Sequence, residues 1–317
     1  MKRIDNLYNK LYDINNLLYV FDLVSKKTNN KRKVNFFQSN KVSIIYKTYD
    51  DLRNKKYIPG EYREFYIYEP KKRLIIETNI YDKYINHLVS EVILKESILS
   101  CLIDTNVASR KNKGTKYGLY LYYKYLSIFK RKYKEFYILK IDIKGFFSNI
   151  DHKILIDKVK RRIKDKNAID ILTKIINSYP KGLPIGLYSS QLLSIFYLND
   201  LEHYIKENLK IKYYIRYQDD LIIFHHNKDE LKEILIIIKE KLEKLKLEVN
   251  NKTKIYKSNQ NINYLGRKKN GKKSKNYMGN RKLKQRYYQY YNDEIKLNSL
   301  ISSINSINND KVYKGGK

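Results

Sequence analysis

The stretch that decides the fold is YYIRYQDDLIIF, residues 213–224, in which two apolar runs flank Gln218, Asp219 and Asp220. The runs are rich in β-branched and aromatic residues, which favour strands, and the polar residues between them favour a turn. The pattern predicts a β-hairpin that carries two adjacent carboxylates at its turn. Asp is also common in turns for purely local reasons, so the pair alone does not define a catalytic site.

A second acidic position lies upstream, where Asp142 ends the apolar run YILKID, residues 137–142. An acid there is unfavourable for strand formation and costly to bury without a partner. The alternatives to a functional role are a helix cap and a salt bridge to a nearby lysine.

The order of elements around these acids predicts an α+β fold. A strand at 136–143 is followed by helices at about 151–163 and 168–178, a Gly/Pro loop at 180–186, a helix at 189–205, the hairpin, a helix at 229–245 and a strand near 254–256. Without the inserted helices this is β-α-β-β-α-β, the split ferredoxin-like arrangement. That topology places the end of the first strand beside the hairpin turn, so we expect Asp142, Asp219 and Asp220 to converge.

Three converging carboxylates repel one another unless a cation neutralises them. Hard oxygen ligands without a nearby thiol or imidazole favour Mg²⁺ or Mn²⁺. Two such ions suit in-line phosphoryl transfer, in which one activates a hydroxyl and the other stabilises the leaving group. The residues therefore indicate a nucleotidyltransferase.

The composition indicates a polyanionic partner. Lys plus Arg number 66 against 33 Asp plus Glu, a formal charge of +33, and basic side chains gain affinity by releasing counterions from phosphates. An AT-rich coding genome would explain Lys over Arg but not the lack of compensating acids. No apolar run reaches the ~18 residues that a membrane-spanning helix needs. Nucleic acid is therefore the favoured partner, and no membrane is expected.

The single cysteine, Cys101, excludes an intrachain disulfide and a cysteine-based zinc site, and it is expected to be a core thiol. The N-terminus shows no secretory signal. Both features favour a cytoplasmic location.

The rest of the chain shows less specific patterns. Residues 1–62 are expected to be helical, with a loop in the basic, Asn-rich segment SKKTNNKRKVN, residues 25–35. A strand-like alternation at 62–69 precedes a long helical pattern at 80–99. Between Arg267 and Arg286 ten of twenty residues are Lys or Arg, and a Tyr-rich helical tail follows.

Four segments, in this order, resemble successive motifs of bacterial reverse transcriptases. They are IDIKGFFSNIDH at 141–152, GLPIGLYSSQ at 182–191, YQDD at 217–220 and NYLG at 263–266. The resemblance runs from about Tyr66 to Gly266. It implies a right-hand polymerase with a helical N-terminal extension at 1–62, fingers at 63–136, a ferredoxin-like palm at 137–262 that contains a fingers/palm insertion at 181–206, and a basic helical thumb at 263–317.

The resemblance also implies roles for the acids. Asp142, Asp219 and Asp220 would be catalytic and, together with Ile143, would hold two Mg²⁺ ions, with Mn²⁺ as an alternative. The activity implied is RNA-directed DNA synthesis.

Further positions are implied to bind substrate. Lys72 and Arg73 match the fingers position that grips the incoming triphosphate, and Arg110 lies in the segment RKNKGT that lines template and nucleotide. Phe147 takes the place of an aromatic residue that excludes a ribose 2′-hydroxyl, which favours deoxynucleotides. Core packing is the alternative for Phe147, as for the adjacent Phe146.

Two more sets follow from the motifs. Ile185, Gly186 and Gln191 would lie beside the nascent base pair, and Tyr264, Leu265 and Gly266 would form a primer grip. The pattern Ile-Gly, three residues, then Ser-Gln is most similar to enzymes of diversity-generating retroelements, which copy a template RNA with frequent errors at adenines. An aliphatic side chain where relatives have an amide removes a hydrogen-bonding group and so loosens base discrimination.

Two alternatives remain at this point. One is a phage-defence reverse transcriptase, and the other is a non-catalytic basic RNA-binding protein. The partners implied are an RNA template, its RNA/DNA hybrid, deoxynucleoside triphosphates, a structured noncoding RNA and a small accessory protein, in a cytoplasmic protein encoded by a bacterium or phage.

Overall fold

The computed structural model describes residues 3–68 and 72–268, together with 288–290, 292 and 300. It consists of two units, Met1–Arg63 with Ile76–Asn259, and Glu64–Ile75 with Gln260–Lys317. Most of the predicted thumb at 263–317 therefore lies outside the described residues, as do residues 69–71.

The described helices are α1 Ile14–Lys27, α2 Lys31–Ser39, α3 Lys41–Arg53, α4 Ile80–Val89, α5 Lys95–Ile98, α6 Gly114–Lys132, α7 His152–Arg162, α8 Lys166–Asn177, α9 Tyr188–Tyr197, α10 Asn199–His203 and α11 Lys228–Lys244. The described strands are β1 Arg63–Ile67, β2 Arg73–Glu77, β3 Tyr137–Asp142, β4 Tyr214–Tyr217, β5 Asp220–His225, β6 Lys254–Lys257, β7 Asn263–Tyr264 and β8 Arg267–Lys268. Two wider π-helical turns, Ser90–Leu94 and Tyr204–Asn208, extend α4 and α10.

The predicted loop at 25–35 is wrong for most of its length, because only residues 28–30 separate α1 from α2. The Asn30 side chain accepts from the Lys33 amide and caps α2. Phe37 of α2 is fully buried and stacks on Phe21 at 4.0 Å. One buried aromatic pair thus anchors a helix whose polar composition resembles that of a loop.

The expected helical stretch at 80–99 is confirmed. The Asn79 side chain accepts from the Asp82 amide and caps α4. The chain then passes through the π-helical turn at 90–94 into α5, which ends at Ile98.

A four-stranded sheet forms the centre of the larger unit, in the order β4-β5-β3-β6 with antiparallel neighbours. On one face, alternate residues of β3 and β5 such as Ile141 and Ile223 join the main hydrophobic core with Leu155 of α7 and Ile238 of α11. The period of two along each strand therefore divides the sheet into a core face and a second face.

The second face is covered by α6 at one end of the sheet. Phe129 of α6 packs against Phe136, Tyr213 and Phe224 with ring centroids 4.9–5.7 Å apart. These contacts lie at the end of the β4–β5 hairpin that is far from its turn, because Tyr213 directly precedes β4 and Phe224 is the second-last residue of β5. The turn end of that face is left to polar side chains.

Cys101 is buried, and burial raises the pKa of its thiol, which confirms the expected core role. Across the described ranges no helix has both the length and the apolar character needed to cross a membrane.

Candidate active site at the β4–β5 turn

The predicted hairpin is present, and its turn is Gln218–Asp219 between the paired residues Tyr217 and Asp220. Gln218 has a φ of 54°, a left-handed conformation that costs a non-glycine residue on the order of 1–3 kcal/mol. Such a conformation persists only where the surroundings fix it.

Two serines from separate segments fix the Gln218 side chain. Ser194 Oγ on α9 donates to Gln218 Oε1 at 2.9 Å, and Gln218 Nε2 donates to Ser109 Oγ at 3.2 Å. Both the acceptor and the donor of the amide are therefore used to hold the turn that carries the two aspartates.

A buried ion pair lies directly behind the turn. Arg216 and Glu202 are both fully buried, with Arg216 Nε 2.9 Å from Glu202 Oε1 and Nη2 3.0 Å from Oε2. Arg216 Nη1 also donates to the Gln218 carbonyl at 3.1 Å. Asn106 Nδ2 donates to Glu202 Oε2 at 2.9 Å and the Tyr214 hydroxyl to Oε1 at 3.3 Å. The guanidinium thus connects the core to the backbone of the turn.

Asp142 lies opposite Asp220 in the register of β3 and β5. Its backbone is held on both sides, because its amide donates to Thr253 Oγ1 at 3.2 Å and its carbonyl accepts from the Asn250 amide at 2.7 Å. The prediction that the end of this strand lies beside the hairpin turn is confirmed.

The electrostatics of this pair are unfavourable without a cation, because like charges directly opposite each other on neighbouring strands destabilise a sheet. Lys140 Nζ lies 3.4 Å from Asp220 Oδ1 and offsets part of that repulsion. Within residues 3–68 and 72–268 the partly exposed Asp142 carboxylate makes no hydrogen bond or ion pair. One acid is thus neutralised by a lysine while the acid facing it has open oxygens.

The donor set fits a hard cation, since Asp142, Asp219 and Asp220 supply only carboxylate oxygens, which Mg²⁺ prefers. In the part of the chain that the structure describes, no group of three or more His, Cys, Asp or Glu residues is arranged to hold a metal ion. The metal role of these acids and of Ile143, which is buried beside Asp142, therefore stays a prediction.

The structure separates the two adjacent phenylalanines that follow β3. Phe146 belongs to the core at 3% exposure, whereas Phe147 is partly exposed. The Phe147 carbonyl accepts from the Leu183 amide at 2.8 Å. Gly182, at a φ of 68°, passes so close that a Cβ would lie 2.4 Å from that carbonyl oxygen. Only glycine permits this approach, which couples Phe147 to the loop before α9.

Three predicted site residues on this loop and on α9 are exposed among buried neighbours. Ile185, Gly186 and Gln191 are exposed, with Ile185 at 37%, while Leu183 and Leu187 are buried. The Ile185 carbonyl accepts from the Ile76 amide at 2.8 Å, which fixes the loop backbone. The Ile185 side chain is therefore accessible on a loop whose backbone is fixed, and its contact with a base pair stays a prediction.

Two contacts from α4 hold the start of α9. Asn86 Nδ2 donates to Ser189 Oγ at 2.8 Å, and the Ser189 amide donates to Asn86 Oδ1 at 3.1 Å. The His87 ring stacks on Tyr188 at 5.1 Å, and burial lowers the pKa of His87 to about 4, so the ring is neutral at pH 7. Gln191, one turn further along α9, is thereby positioned without contacting these residues.

Arg110 has a bracing role that the sequence did not predict. Its Nη1 donates to the carbonyls of Ile103 at 2.7 Å and Asn106 at 3.0 Å. The side chain thus closes its own loop, and its predicted contact with template or nucleotide stays a prediction.

In the smaller unit, Lys72 and Arg73 are exposed at the start of β2, and Lys72 Nζ lies 4.5 Å from the centre of the Tyr66 ring. The other predicted set forms the β7–β8 hairpin, in which Tyr264 is buried. Leu265 and Gly266 have φ values of 47° and 77°, as a tight two-residue hairpin turn requires.

Sequence reasoning missed the residues that hold the turn, namely Glu202, Ser194 and Ser109. A signal was available for the partner of Glu202, because Arg216 is a charged residue within an apolar strand, the same argument that identified Asp142. Nothing in the local sequence indicated which acid would pair with it.

Replacing Glu202 by Leu leaves Arg216 buried without its partner, so we expect the free energy of unfolding in urea to fall by about 3–5 kcal/mol. Glu202→Leu combined with Arg216→Met removes both charges and should recover most of that loss. The control, Glu207→Leu, removes an exposed acid paired with His203 and should cost less than about 1 kcal/mol. Equal losses for Glu202→Leu and Glu207→Leu would contradict the role assigned to the buried pair.

Comparison with known proteins identifies the family of the chain. Residues 64–268 match the family described as "Reverse transcriptase (RNA-dependent DNA polymerase)". A "Putative COX1/OXI3 intron 2 protein" of Saccharomyces cerevisiae is 29% identical over an alignment of 85 residues. The match covers 23% of this chain and 10% of that protein. A solved structure of apo telomerase from Candida tropicalis, truncated from its C-terminal domain, is 16% identical with a TM-score of 0.49, covering 67% of this chain and 53% of the other.

The chain thus spans about a tenth of the yeast protein's length and about half of the telomerase chain. The matched region contains β3, the β4–β5 turn and the three aspartates. The chain belongs to the reverse transcriptase (RNA-dependent DNA polymerase) family.

Proposed function

We propose that this chain is an RNA-directed DNA polymerase whose catalytic acids are Asp142, Asp219 and Asp220. The observation that supports this best is the placement of Asp142 opposite Asp220, next to a turn held in a strained conformation by buried contacts. A turn with incidental acids has no need of such bracing, whereas a catalytic turn must hold its carboxylates within a fraction of an ångström.

In this proposal the four-stranded sheet of β3–β6 is the palm of a right-hand polymerase, within 137–262. The β1–β2 hairpin belongs to the fingers at 63–136, the insertion at 181–206 lies between fingers and palm, and the thumb occupies 263–317. The family match and the strand order support this division.

Divalent ions bound by the three aspartates would activate a primer 3′-hydroxyl and stabilise the departing pyrophosphate. The chain's own residues set the conditions for that chemistry. The β3–β5 ladder places Asp142 and Asp220 opposite each other, the Gln218 contacts fix Asp219, and Lys140 partly neutralises Asp220. A site prepared in this way does not have to reorganise during the reaction.

Substrate selection would rest on Phe147 and on the exposed loop residues. The Phe147 ring is partly exposed, and its backbone is held by the close approach of Gly182, so the ring would be placed to block a ribose 2′-hydroxyl. The exposed cations Lys72 and Arg73 have the charge needed to bind a triphosphate.

We further propose that copying is error-prone, as in diversity-generating retroelements. Exposed Ile185 and Gln191, in a region whose other side chains are mostly buried, support this. An isoleucine beside a nascent base pair offers packing but no hydrogen bond. Discrimination between bases then depends on pairing alone.

Primer extension on an RNA template with Mg²⁺ and deoxynucleotides tests the activity. Asp219→Ala and Asp142→Asn should each reduce the rate by more than about a hundredfold, because removing a group that merely orients a metal ligand already costs 10–100-fold. RNA binding, measured by fluorescence anisotropy, should stay within twofold of wild type. The control is Asp157→Ala, an exposed acid of α7, which should leave the rate unchanged.

Synthesis by the aspartate variants at the wild-type rate would refute the assignment. The same assay with ribonucleotides examines Phe147. Wild type should not extend the primer, and Phe147→Ala should, since the smaller side chain leaves room for the hydroxyl.

Sequencing of the products tests the error-prone proposal. Wild type should misincorporate opposite template adenines far more often than opposite other bases, and Ile185→Gln should lower the error rate by restoring a hydrogen-bonding group. Leu183→Gln is unsuitable as a control because Leu183 is buried. Ile236→Gln serves instead, because Ile236 is an exposed residue of α11. Uniformly faithful copying by wild type would exclude the diversity-generating assignment and favour a defence role.

A further inference from the structure

Helix α6 carries a row of aromatic and cationic side chains on the side opposite its buried face. Its buried residues are Gly118, Leu121, Tyr122, Leu126 and Phe129. The row consists of Lys113, Tyr117, Tyr120, Lys124 and Arg131, which we call the α6 stripe. Successive members are spaced by three, four or seven residues, which places them along one side of a helix.

The stripe is continuous over its first four members. Lys113 Nζ lies 5.3 Å from the centre of the Tyr117 ring, the Tyr117 and Tyr120 rings stack with centroids 5.9 Å apart, and Lys124 Nζ lies 5.8 Å from the Tyr120 ring. Tyr120 is 55% exposed. Lys113 and Lys124 are eleven positions apart, which corresponds to roughly 17 Å along a helix. This part of the α6 stripe therefore has room for several nucleotides.

All charged side chains along α6 are positive. No Asp or Glu occurs between Arg110 and Lys134. Asp104 pairs with Lys113 at 2.9 Å, but Lys124 and Arg131 make no ion pair with any residue in the described ranges. Lys124 lies beside the exposed Tyr120 ring, and the Tyr117 ring next to it is partly exposed. A cation beside accessible aromatic rings is the combination that binds phosphates and stacks bases.

The start of α6 is linked to β4, the strand that leads into the candidate active site. The Val107 amide donates to the Arg216 carbonyl. Gly114 is the first residue of α6, and its amide donates to the Val107 carbonyl. The other end of α6 packs on Phe224 and Tyr213, far from the turn. The stripe therefore begins at the end of α6 that is linked to Arg216 of β4.

We propose that the α6 stripe binds a single-stranded polynucleotide, with unpaired bases stacked on Tyr117 and Tyr120 and phosphates held by Lys124 and Arg131. A duplex keeps its bases stacked on each other and cannot use the rings. Naming the bound strand as the unpaired part of the RNA template rests on the proposed function, but binding itself does not.

Fluorescence anisotropy with the full chain, in EDTA and without nucleotides, tests the proposal on three labelled probes of 20 nucleotides: unstructured RNA, the same sequence as DNA, and a blunt RNA/DNA duplex. Tyr117→Ala with Tyr120→Ala should weaken binding of the single strands by about tenfold or more and of the duplex by less than twofold. The corresponding Phe double variant keeps both rings and should bind like wild type. Stronger binding of the RNA than of the DNA probe supports the template assignment, and a preference for DNA would overturn it.

Lys124→Gln with Arg131→Gln should lower the slope of log affinity against log salt for single strands by about 1.4, because each phosphate that a cation neutralises adds ~0.7 to that slope. Matched controls are Tyr19→Ala with Tyr46→Ala, two exposed tyrosines of α1 and α3, and Lys228→Gln with Lys239→Gln, two exposed lysines of α11.

Wild-type affinity of the Ala double variant for single strands, or an equal loss on the duplex, would overturn the proposal. Thermal melting verifies that each variant is folded. If the Ala double variant does not fold, the Lys124→Gln, Arg131→Gln variant still tests the proposal independently. The Asp219→Ala protein should bind the single strands like wild type, so a failure of the polymerase proposal is distinguishable from a failure of this one.

Discussion

The structure of the candidate site depends on one buried ion pair. Arg216 and Glu202 have no contact with solvent, and the guanidinium also donates to the backbone of the Gln218 turn. A buried pair of this kind contributes little net stability compared with apolar residues of the same volume. It does have directional hydrogen bonds that an apolar core lacks. The buried pair therefore holds the turn in one conformation. It costs stability, and the packing of the surrounding core offsets that cost.

The fixed turn also determines where the acids of this site lie relative to one another. With the turn fixed, the register of β3 and β5 places Asp142 opposite Asp220, and two carboxylates that repel each other remain at one end of the two central strands. Lys140 offsets one of them and the other keeps open oxygens. This imbalance favours a cation at the end of β3 and β5.

Much of this could be predicted from the sequence, because the signals were local. Strand periodicity predicted β3 and the hairpin, and the order of elements predicted that Asp142 and Asp220 meet. Prediction failed where long-range contacts decide. The polar segment at 25–35 is largely helical because Phe37 stacks on Phe21, and Glu202 was not identified because its partner lies in a different element. The contacts of Arg110 with two carbonyls of its own loop were also not predicted, while its substrate contact stays a prediction.

The central proposal is that these three aspartates would form one cation-binding centre, and Mn²⁺ binding followed by electron paramagnetic resonance tests it most directly. The account predicts saturable binding to wild type, binding weakened at least tenfold in Asp142→Asn, and tighter binding in Lys140→Met, which removes the competing charge. Asp157→Asn should bind like wild type. Identical binding by wild type and Asp142→Asn would contradict the account.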